Sequence, residues 1–236
     1  MKHMLHLHLR FCFAKTRFMR SREIEEYKSG LSLSKRQKEI LIGLILGDGH
    51  LEKLYTPRVG RLKVEQSYKH KDYVDWLYKE FRSWVRTKPK IKKKKVWNKN
   101  YLNYGFLTYG HHLLGEFQKR FYRKRKKIIP NDLEKDITCL GLAIWFMDDG
   151  SIKSKRHKGF FLNVQDFKKR DVKRLQKMLE NKFGITSSTR KDEKGEQIYL
   201  GGKSGEKFIA LIRPYIISSM KYKIPRALRL TKLPKE

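Results

Sequence analysis

The sequence predicts an α+β fold built from two tandem repeats that are related by a pseudo-twofold axis. Two apolar segments, Leu41 to Gly49 and Leu142 to Gly150, each end in Asp-Gly. After each segment the chain repeats one order of patterns, which we interpret as helix, hairpin, helix, hairpin, helix. The repeated order and the paired acidic ends indicate a duplication, with the two apolar helices packed together along its axis.

The two apolar segments are predicted to be buried helices that bring Asp48 close to Asp149. Gly43 and Gly47 are four residues apart on one helix face, so the two backbones can approach closely. A carboxylate at a helix C-terminus faces the negative end of the macrodipole, so each Asp needs a positive partner there. A metal ion between the helices satisfies both. The glycine that follows each Asp suits a left-handed C-terminal cap.

In the first repeat, alternation and helical spacing mark the elements. Leu62 and Val64 lie on one face of a strand, while Tyr73 and Leu77 start an apolar helical stripe. The predicted elements are a turn at 56–60, a strand at 61–68, a helix capped by Asp72, strands near Val96 and at 101–109, and a helix from His111 to about Lys126.

The second repeat has the same order. Its predicted elements are a strand at 159–165, a helix capped by Asp171, a hairpin of 186–190 with 197–200 around Lys194-Gly195, and a helix from Ser204 to near Pro214. Both repeats close with a basic residue shortly before Ile-Pro, at Lys127 and Lys223. These matching closures support the duplication and divide the chain into a basic extension at 1–33, a first half at 34–132 and a second half at 133–236.

The N-terminal extension has two interpretations. No acidic residue precedes Glu23, and basic residues and histidines alternate with Leu and Phe. The pattern is typical of an organellar transit segment or of a basic arm that contacts DNA. His3, His6 and His8 are candidate metal ligands, but the cluster lacks a fourth ligand.

Charge and cysteine content restrict the class of protein. Lys and Arg total 57 against 24 acidic residues, which gives a formal net charge of +33. Self-repulsion of this size predicts a polyanionic partner, and nucleic acid is the obvious one. Cys12 and Cys139 are too far apart for a Cys-x-x-Cys site, so the sequence predicts neither a disulfide framework nor zinc. We expect a reducing compartment, either a bacterial cytoplasm or an organelle, and no membrane partner, because the apolar runs are shorter than the roughly 20 residues of a membrane span.

The two acidic motifs resemble those of the LAGLIDADG homing endonucleases, in particular the single-chain branch that carries two motifs. The resemblance extends from about Ser34 to the C-terminus, and the stretch from Trp145 to Gly150 is its most specific part. It implies a pair of αββαββα units, whose two antiparallel sheets form saddles over DNA with the motif helices packed between the halves. It also implies a monomer that cuts both strands of double-stranded DNA.

The chemistry of such a site rests on the two aspartates. Phosphodiester hydrolysis needs an activated water and stabilised charge, which a divalent metal between carboxylates supplies. Mg²⁺ suits oxygen ligands, with Mn²⁺ as its substitute. The predicted metal ligands are Asp48 and Asp149, with the family implying the main-chain carbonyls of Gly47 and Asp148. The Asp148 side chain has no acidic counterpart at Gly47, so we expect it to be a supporting or capping group.

Four further residues are catalytic candidates through the resemblance. Lys127 and Lys223 match basic residues near the family's active sites, where they polarise water or steady charge on phosphate, or contact phosphate generically. Gln66 and Gln165 match a glutamine that positions solvent. The equivalence is imperfect, because Gln66 has the strand parity of apolar neighbours and Gln165 does not.

The polar strand faces are predicted to read DNA. A two-stranded ribbon fits the major groove, and base edges specify the sequence there, while Lys and Arg bind phosphates. The basic tracts at 92–95 and 119–127 are predicted phosphate contacts. The candidate base-reading residues are Arg61, Lys63, Glu65, Asn98, Asn100, Asn163, Gln165, Arg190 and Gln197. Because the two ribbons differ in sequence, the expected DNA site is long and asymmetric.

Two other functions stay open at this point. An RNA-binding maturase that acts on its host intron uses the same fold in some relatives, and both aspartates could serve a dual role. A DNA-binding regulator without catalysis predicts that both aspartates are dispensable. A zinc-dependent nuclease of the HNH type is disfavoured, because His111-His112 lacks a Cys framework.

Overall fold

The computed structural model describes residues 21–54, 58–154, 157–193, 195–225 and 228. The chain forms two compact units, residues 1–33 and residues 34–236. In the first unit, residues 21–29 form a helix, α1. The predictions for His3, His6 and His8, for Thr56 and Pro57 of the first turn and for Lys194 of the second hairpin lie outside the described residues.

The second unit opens with the first repeat. Its elements are α2 (Lys35–Leu46), β1 (His50–Lys53), β2 (Gly60–Ser67), α3 (Lys71–Glu80), β3 (Lys90–Val96), β4 (Lys99–Leu107), α4 (His112–Phe121), and a short hairpin of β5 (Tyr122–Arg123) and β6 (Lys126–Lys127). The four long strands form an antiparallel sheet of order β1-β2-β4-β3. A short helix, α5 (Leu133–Asp136), leads to the second repeat.

The second repeat has the same plan. Its elements are α6 (Cys139–Asp149), β7 (Gly150–Ile152), β8 (Phe160–Asn163), α7 (Lys169–Phe183), β9 (Ser188–Asp192), β10 (Gly195–Leu200), α8 (Gly202–Ile212) and a closing 3-10 helix (Ser218–Lys223). Its sheet order, β7-β8-β10-β9, repeats that of the first sheet. The predicted α+β class with a duplicated helix and hairpin order is confirmed. Among the described residues, no helix combines the length and apolar character needed to cross a bilayer.

The central helices are fixed by their N-terminal caps and by glycine. Ser34 and Gln37 form a reciprocal capping box at the start of α2, and Thr138 caps α6. A Cβ on Gly43 would lie 2.5 Å from the carbonyl oxygen of Gly141 in α6. Only glycine therefore allows this backbone approach, and the predicted close packing of the two helices is confirmed.

Several local predictions were wrong. Asp72, Asp171 and Ser204 do not cap their helices, because each helix begins one to two residues earlier and places the residue in its first turn. An acidic residue there still meets the positive end of the helix dipole. The helix after His111 ends at Phe121 rather than near Lys126, because Lys124 and Arg125 adopt positive φ and reverse the chain.

The glycines after the two acidic residues also differ from expectation. Gly150 has φ −81°, and the φ of Gly49 is not positive either, so neither glycine is a left-handed cap. Space explains them instead. A Cβ on Gly49 would lie 2.7 Å from Leu44 Cβ, and one on Gly150 would lie 2.0 Å from Phe146 Cδ2. Glycine therefore lets the chain turn back against its own helix.

Candidate active site

The two motif helices deliver their aspartates to neighbouring positions, but the two helix ends differ. Asp149 is the last residue of α6, whereas α2 ends at Leu46 and Asp48 lies two residues beyond it. Asp48 is exposed and Asp149 is half-buried. The charge of Asp48 acts on Asp149 strongly enough to raise the pKa of its carboxyl. The predicted convergence of these two residues is what the structure displays.

A lysine from a later segment covers the C-terminal end of each motif helix. Neither helix has a basic residue in its last turn. The Lys127 ammonium donates a hydrogen bond to the carbonyl of Gly47 at 2.5 Å. The Lys223 ammonium donates to the carbonyls of Met147 at 2.5 Å and of Asp148 at 3.1 Å. Both lysines thus lie at the negative end of a helix dipole. Their ammonium groups are the positive partners that the sequence predicts for the two acidic helix ends.

The acids and lysines perturb one another through burial and charge. Burial raises the pKa of the Asp149 carboxyl to about 7, the charge of Asp48 adds to the rise, and Lys127 and Lys223 oppose it. Burial, with the charge of Asp48, also raises the pKa of Asp148 well above its usual range. Burial lowers the pKa values of both lysines, while the acids raise them. The two lysines therefore do not fully offset the burial and mutual repulsion of the carboxylates in this cluster.

The two predicted glutamines lie in different surroundings. The Gln66 amide donates to Asp48 Oδ2 at 2.8 Å and more weakly to Asp148 Oδ1 at 3.4 Å. Gln165 lies just after β8 and donates instead to Asn163 at 3.4 Å and to Asp192 at 3.3 Å. Gln66 therefore belongs to the acidic site, and Gln165 belongs to the outer face of the second sheet.

The Asp148 side chain links the two helix ends. Its Oδ2 atom accepts the main-chain N–H of Asp48 at 3.0 Å. The hydroxyl of Tyr73 is buried facing Asp148, and burial, followed by the charge of Asp148 and its interaction with the hydroxyl, raises the pKa of Tyr73 well above the usual range. Tyr73 was predicted only as a core residue, because its apolar spacing gives no sign of the carboxyl that it faces.

Asp166, His70 and Tyr222 were not among the sequence candidates, although all three lie near the site. The charge of Asp166 raises the pKa values of Asp149 and Lys127. His70 stacks on Tyr222 with ring centroids 6.4 Å apart, and burial followed by the charge of Lys223 lowers the pKa of its imidazole. Asp166 directly follows the predicted strand at 159–165, and this position is the one signal that the sequence offers for it.

The outer face of the first sheet carries paired charges. Arg61 contacts Glu52 at 2.6 Å. Glu65 contacts Lys63 at 3.5 Å and Lys92 at 2.9 Å. Three of the base-reading candidates thus lie side by side on one surface, and the two carboxylates hold the long basic side chains in place.

The tip of the first sheet departs from the predicted pattern. Asn98 lies in the two-residue turn between β3 and β4, after the almost fully exposed Trp97. Asn100 pairs with Lys95, and alternation puts it on the face opposite to Asn103, whose amide donates to Glu65 at 3.2 Å. Asn98 and Asn100 are exposed, but Asn100 does not share the surface of Arg61, Lys63 and Glu65.

The outer face of the second sheet combines amides and cations with an aromatic ring, whereas the first carries ion pairs. Gln197 pairs with both Asn163 and Arg190, and its amide donates to Asn163 Oδ1 at 2.7 Å. The guanidinium of Arg190 lies 5.5 Å from the ring centroid of Tyr199, and Lys153 lies 5.7 Å from the same centroid. The candidates of the second ribbon therefore form one continuous polar surface, centred on an aromatic ring.

Comparisons with known proteins agree with this architecture. Residues 38–208 match the model of the LAGLIDADG DNA endonuclease family. A probable intron-encoded endonuclease of Wickerhamomyces canadensis is 35% identical over 214 residues, which are 86% of this chain and 90% of that protein. The cytochrome b mRNA maturase bI2 of Debaryomyces hansenii is 31% identical over 81% of this chain and 74% of the maturase.

A solved structure extends the likeness to three dimensions. The structure of the homing endonuclease I-WcaI bound to its DNA recognition sequence matches this chain with a TM-score of 0.80. The match has 34% sequence identity and covers 85% of this chain and 91% of the other. The likeness therefore spans both repeats and the acidic site between them.

Proposed function

The chain belongs to the LAGLIDADG DNA endonuclease family, and we propose that it is a homing endonuclease that cuts both strands of a long, asymmetric DNA site. One observation carries this proposal. Two helices, one from each repeat, pack together so that Asp148, the neighbour of Asp149, accepts the N–H of Asp48, and each repeat adds a sheet with a polar outer face. A duplicated arrangement of this kind offers one half of the molecule to each DNA strand. We further propose that the chain acts as a monomer, because it contains both repeats.

The acidic site fits a divalent metal ion such as Mg²⁺ or Mn²⁺. Burial and mutual repulsion raise the pKa values of Asp148 and Asp149, so a cation there relieves an unfavourable charge arrangement. Among the described residues, no group of three or more His, Cys, Asp or Glu forms a ready-made metal cage. Mg²⁺ suits such a site, because it keeps several waters and uses one or two carboxylates with substrate phosphates. Asp48 and Asp149 are the proposed ligands. The carbonyls of Gly47 and Asp148 accept hydrogen bonds from Lys127 and Lys223, so they would join the metal only by sharing these oxygens with the ammonium groups or after the lysines move.

The protein's own groups prepare the hydrolysis of a phosphodiester. When bound, the metal supplies a Lewis acid and a water of lowered pKa. Asp48 and Asp149 hold the metal, and Gln66 donates to Asp48 and fixes the direction of its carboxylate. Lys127 and Lys223 lie at the helix ends, where their positive charge stabilises the negative charge that develops on phosphate. Electrostatic stabilisation of this kind is commonly the largest part of catalysis.

DNA recognition is assigned to the two outer sheet faces. We propose that Arg61, Lys63 and Glu65 read bases in one half of the site. Arg190 and Gln197 are proposed to read bases in the other half. Asn98 at the tip of the first ribbon, and Asn163 and Gln165 beside the second, complete the proposed set of base-contacting residues, while Asn100 is left out because it lies on the opposite face of the first sheet. Lys119 to Lys127 and Lys92 to Lys95 supply phosphate contacts, which position the DNA without reading it.

A cleavage assay on the uninterrupted junction of the host gene tests this proposal. The DNA that flanks the host intron, joined without it, should contain the target and should be cut in Mg²⁺. We expect Asp48→Asn and Asp149→Asn each to slow cleavage by more than about 100-fold, because outer partners of metal ligands alone cost 10–100-fold. Asp72→Asn, an exposed carboxylate in the first turn of α3, is the matched control. Intact DNA with folded wild-type protein, or unchanged cutting by both site variants, would refute the proposal.

A second function has support from a specific relative. The similarity to a cytochrome b mRNA maturase favours RNA binding on the same fold, either beside cleavage or in place of it. An organelle is then the proposed location of the protein. A splicing assay with the host intron separates the two functions, since a maturase variant with Asp48→Asn should still promote splicing. A DNA-binding regulator without catalysis predicts tight binding and no metal-dependent cutting in the same cleavage assay.

A further inference from the structure

Asp48 needs a support that Asp149 does not. Asp149 is the last residue of α6 and keeps its helical backbone. In contrast, α2 ends at Leu46, and its closing hydrogen bonds run from Gly47 N–H to Gly43 at 3.0 Å and from Gly49 N–H to Leu44 at 2.8 Å. The N–H of Asp48 lies between these bonds and is left out of the helical ladder. A main-chain N–H outside the ladder donates its hydrogen bond to water or to a neighbouring side chain.

The partner comes from the other half of the molecule. Asp148 Oδ2 accepts the N–H of Asp48 at 3.0 Å, although the two residues are 100 positions apart in the chain. The second carboxylate oxygen of Asp148 lies 3.4 Å from the Gln66 amide, which itself donates to Asp48 at 2.8 Å. Asp148 therefore contacts both the backbone of Asp48 and the side chain that orients its carboxylate.

The first helix leaves room for this contact. A Cβ on Gly47 would lie 2.4 Å from Asp148 Cβ and 2.5 Å from Asp148 Oδ2. Position 47 can therefore hold no side chain while Asp148 occupies its present place. A third carboxylate beside Asp48 and Asp149, at the negative end of a helix, is electrostatically unfavourable, so a side chain that stays there needs a contact that offsets this cost.

We propose that Asp148 is a positioning residue that holds Asp48 of the opposite half in place, through its main chain and through Gln66. It acts across the interface, on the acidic centre of the first repeat rather than on that of its neighbour Asp149. This inference rests on the proposed endonuclease function. It explains the unequal motifs, because glycine at 47 and aspartate at 148 are the two sides of one contact.

Strand-specific cleavage tests the direction of this support. Single-turnover rates are measured for each DNA strand with an end label, in wild type, Asp148→Ala, Asp148→Asn, Asp48→Asn and Asp149→Asn. We expect Asp148→Ala to slow cleavage by about tenfold or more, the range for partners that orient metal ligands. It should move the ratio of the two strand rates in the direction of Asp48→Asn and away from that of Asp149→Asn. Asp148→Asn should lose clearly less activity than Asp148→Ala and keep the wild-type ratio, because its amide oxygen can accept the same N–H and only the weaker 3.4 Å contact with Gln66 is lost.

Two outcomes of this assay would overturn the inference. One is an unchanged strand ratio in Asp148→Ala, and the other is a ratio that follows Asp149→Asn. Loss of activity that is equal in Asp148→Ala and Asp148→Asn would also overturn it, because the contact and not the charge is proposed to matter. A wild-type protein that cuts neither strand refutes the endonuclease function instead, so the two failures are distinguishable.

A thermodynamic cycle tests the contact without using activity. Gly47→Ala should lower the melting temperature by several degrees in the wild-type background, because the new methyl group meets Asp148. In the Asp148→Gly background the same substitution should cost clearly less, since the clashing atoms are gone. Residues that touch show such non-additivity, whereas independent residues do not. Equal costs in both backgrounds would show that Asp148 does not occupy the space beside Gly47 in solution.

Discussion

The two repeats share one plan of helices and strands, yet they present their aspartates in different ways. In the first repeat the helix ends at Leu46, the acid stands beyond it, and Lys127 comes from a two-stranded hairpin. In the second, the helix continues through Asp149, and Lys223 comes from a 3-10 helix. Equivalent groups therefore reach equivalent places on unlike backbones. The difference shows that duplication conserved the chemistry of the site more closely than the local geometry.

The lysines offer the largest test of this comparison. We expect Lys127→Met and Lys223→Met each to slow cleavage by about 10² to 10³-fold, the range for losing one electrostatic stabiliser in an active site. Lys223→Met should also lower stability more than Lys127→Met, because Lys223 donates to three carbonyls of α6 while Lys127 donates to one carbonyl of Gly47.

Strand-specific rates and chemical denaturation measure these two effects. Lys79→Met, an exposed lysine of α3 outside the proposed phosphate-contacting tracts, is the matched control. If Lys127→Met behaves like this control, the ammonium at Gly47 has no part in the reaction. If Lys127→Met and Lys223→Met lower the free energy of unfolding equally, the different number of carbonyls that the two lysines contact does not affect stability.

The dependence of stability on pH separates the buried aspartate from the exposed one. Folding raises the pKa of Asp149 to about 7, so the folded state binds its proton more tightly than the unfolded state does. Without metal, the contribution of this group to stability should therefore be lost as the pH rises from about 4 towards 7, with no further change above. Asp149→Asn should make this decline less steep, and the part that remains belongs to Asp148, whose pKa is also raised.

Denaturant unfolding across this pH range, with and without Mg²⁺, measures the effect. Mg²⁺ should raise the melting temperature more above pH 7 than below it, because the metal needs the ionised carboxylate. Glu116→Gln, an exposed carboxylate of α4, should leave the profile unchanged. A metal-free profile that rises through this range would contradict the assigned protonation of Asp149.

The smallest expected effect concerns the β5-β6 hairpin of the first repeat, which has no counterpart among the described residues of the second. Its turn residues, Lys124 and Arg125, have φ values of 47° and 67°, a conformation that favours Asn-Gly. The double variant Lys124→Asn/Arg125→Gly should raise stability by about 1 kcal/mol, because it removes left-handed backbone from two residues with side chains. It should also weaken DNA binding and flatten its salt dependence by up to about 1.8 log units per log salt, if both charges contact phosphate.

A second variant separates backbone strain from charge in this hairpin. Lys124→Gln/Arg125→Gln removes the same two charges but keeps two side chains in the left-handed turn. It should lose DNA affinity to the same extent without the gain in stability. DNA binding that is unaffected in both variants would mean that this hairpin lies away from the phosphates.

The periodic spacing of apolar residues and the repeated order of elements predicted the architecture well. The apolar motif helices, the strand alternation at Leu62 and Val64 and the order of the repeats follow from burial, which a period of 2 or 3.6 residues reports directly. Helix boundaries were less predictable. Asp72 and Asp171 are residue types that often cap helices, but the two helices begin one or two residues before them, at Lys71 and Lys169.

The sequence predicted which residues belong to the active site better than it predicted which atoms they contact. Asp48, Asp149, Lys127 and Lys223 could be chosen because each occurs once per repeat at a matching position. Gln165 could not be separated from Asp166 in this way, because a single-residue change of register decides which of them points to the acidic site. The pairing of Gln165 with Asn163 and Asp192 depends on how the second sheet twists.

By itself, the sequence determined the two acidic helix ends, their basic surroundings and the duplicated plan, because burial and charge leave periodic marks along the chain. Only the tertiary structure decided which groups neutralise those ends. The ammonium groups of Lys127 and Lys223 meet carbonyls about 80 residues away, and Asp148 reaches the N–H of Asp48 across the interface. Such contacts have no sequence period, since they depend on how two helices approach at Gly43 and Gly47.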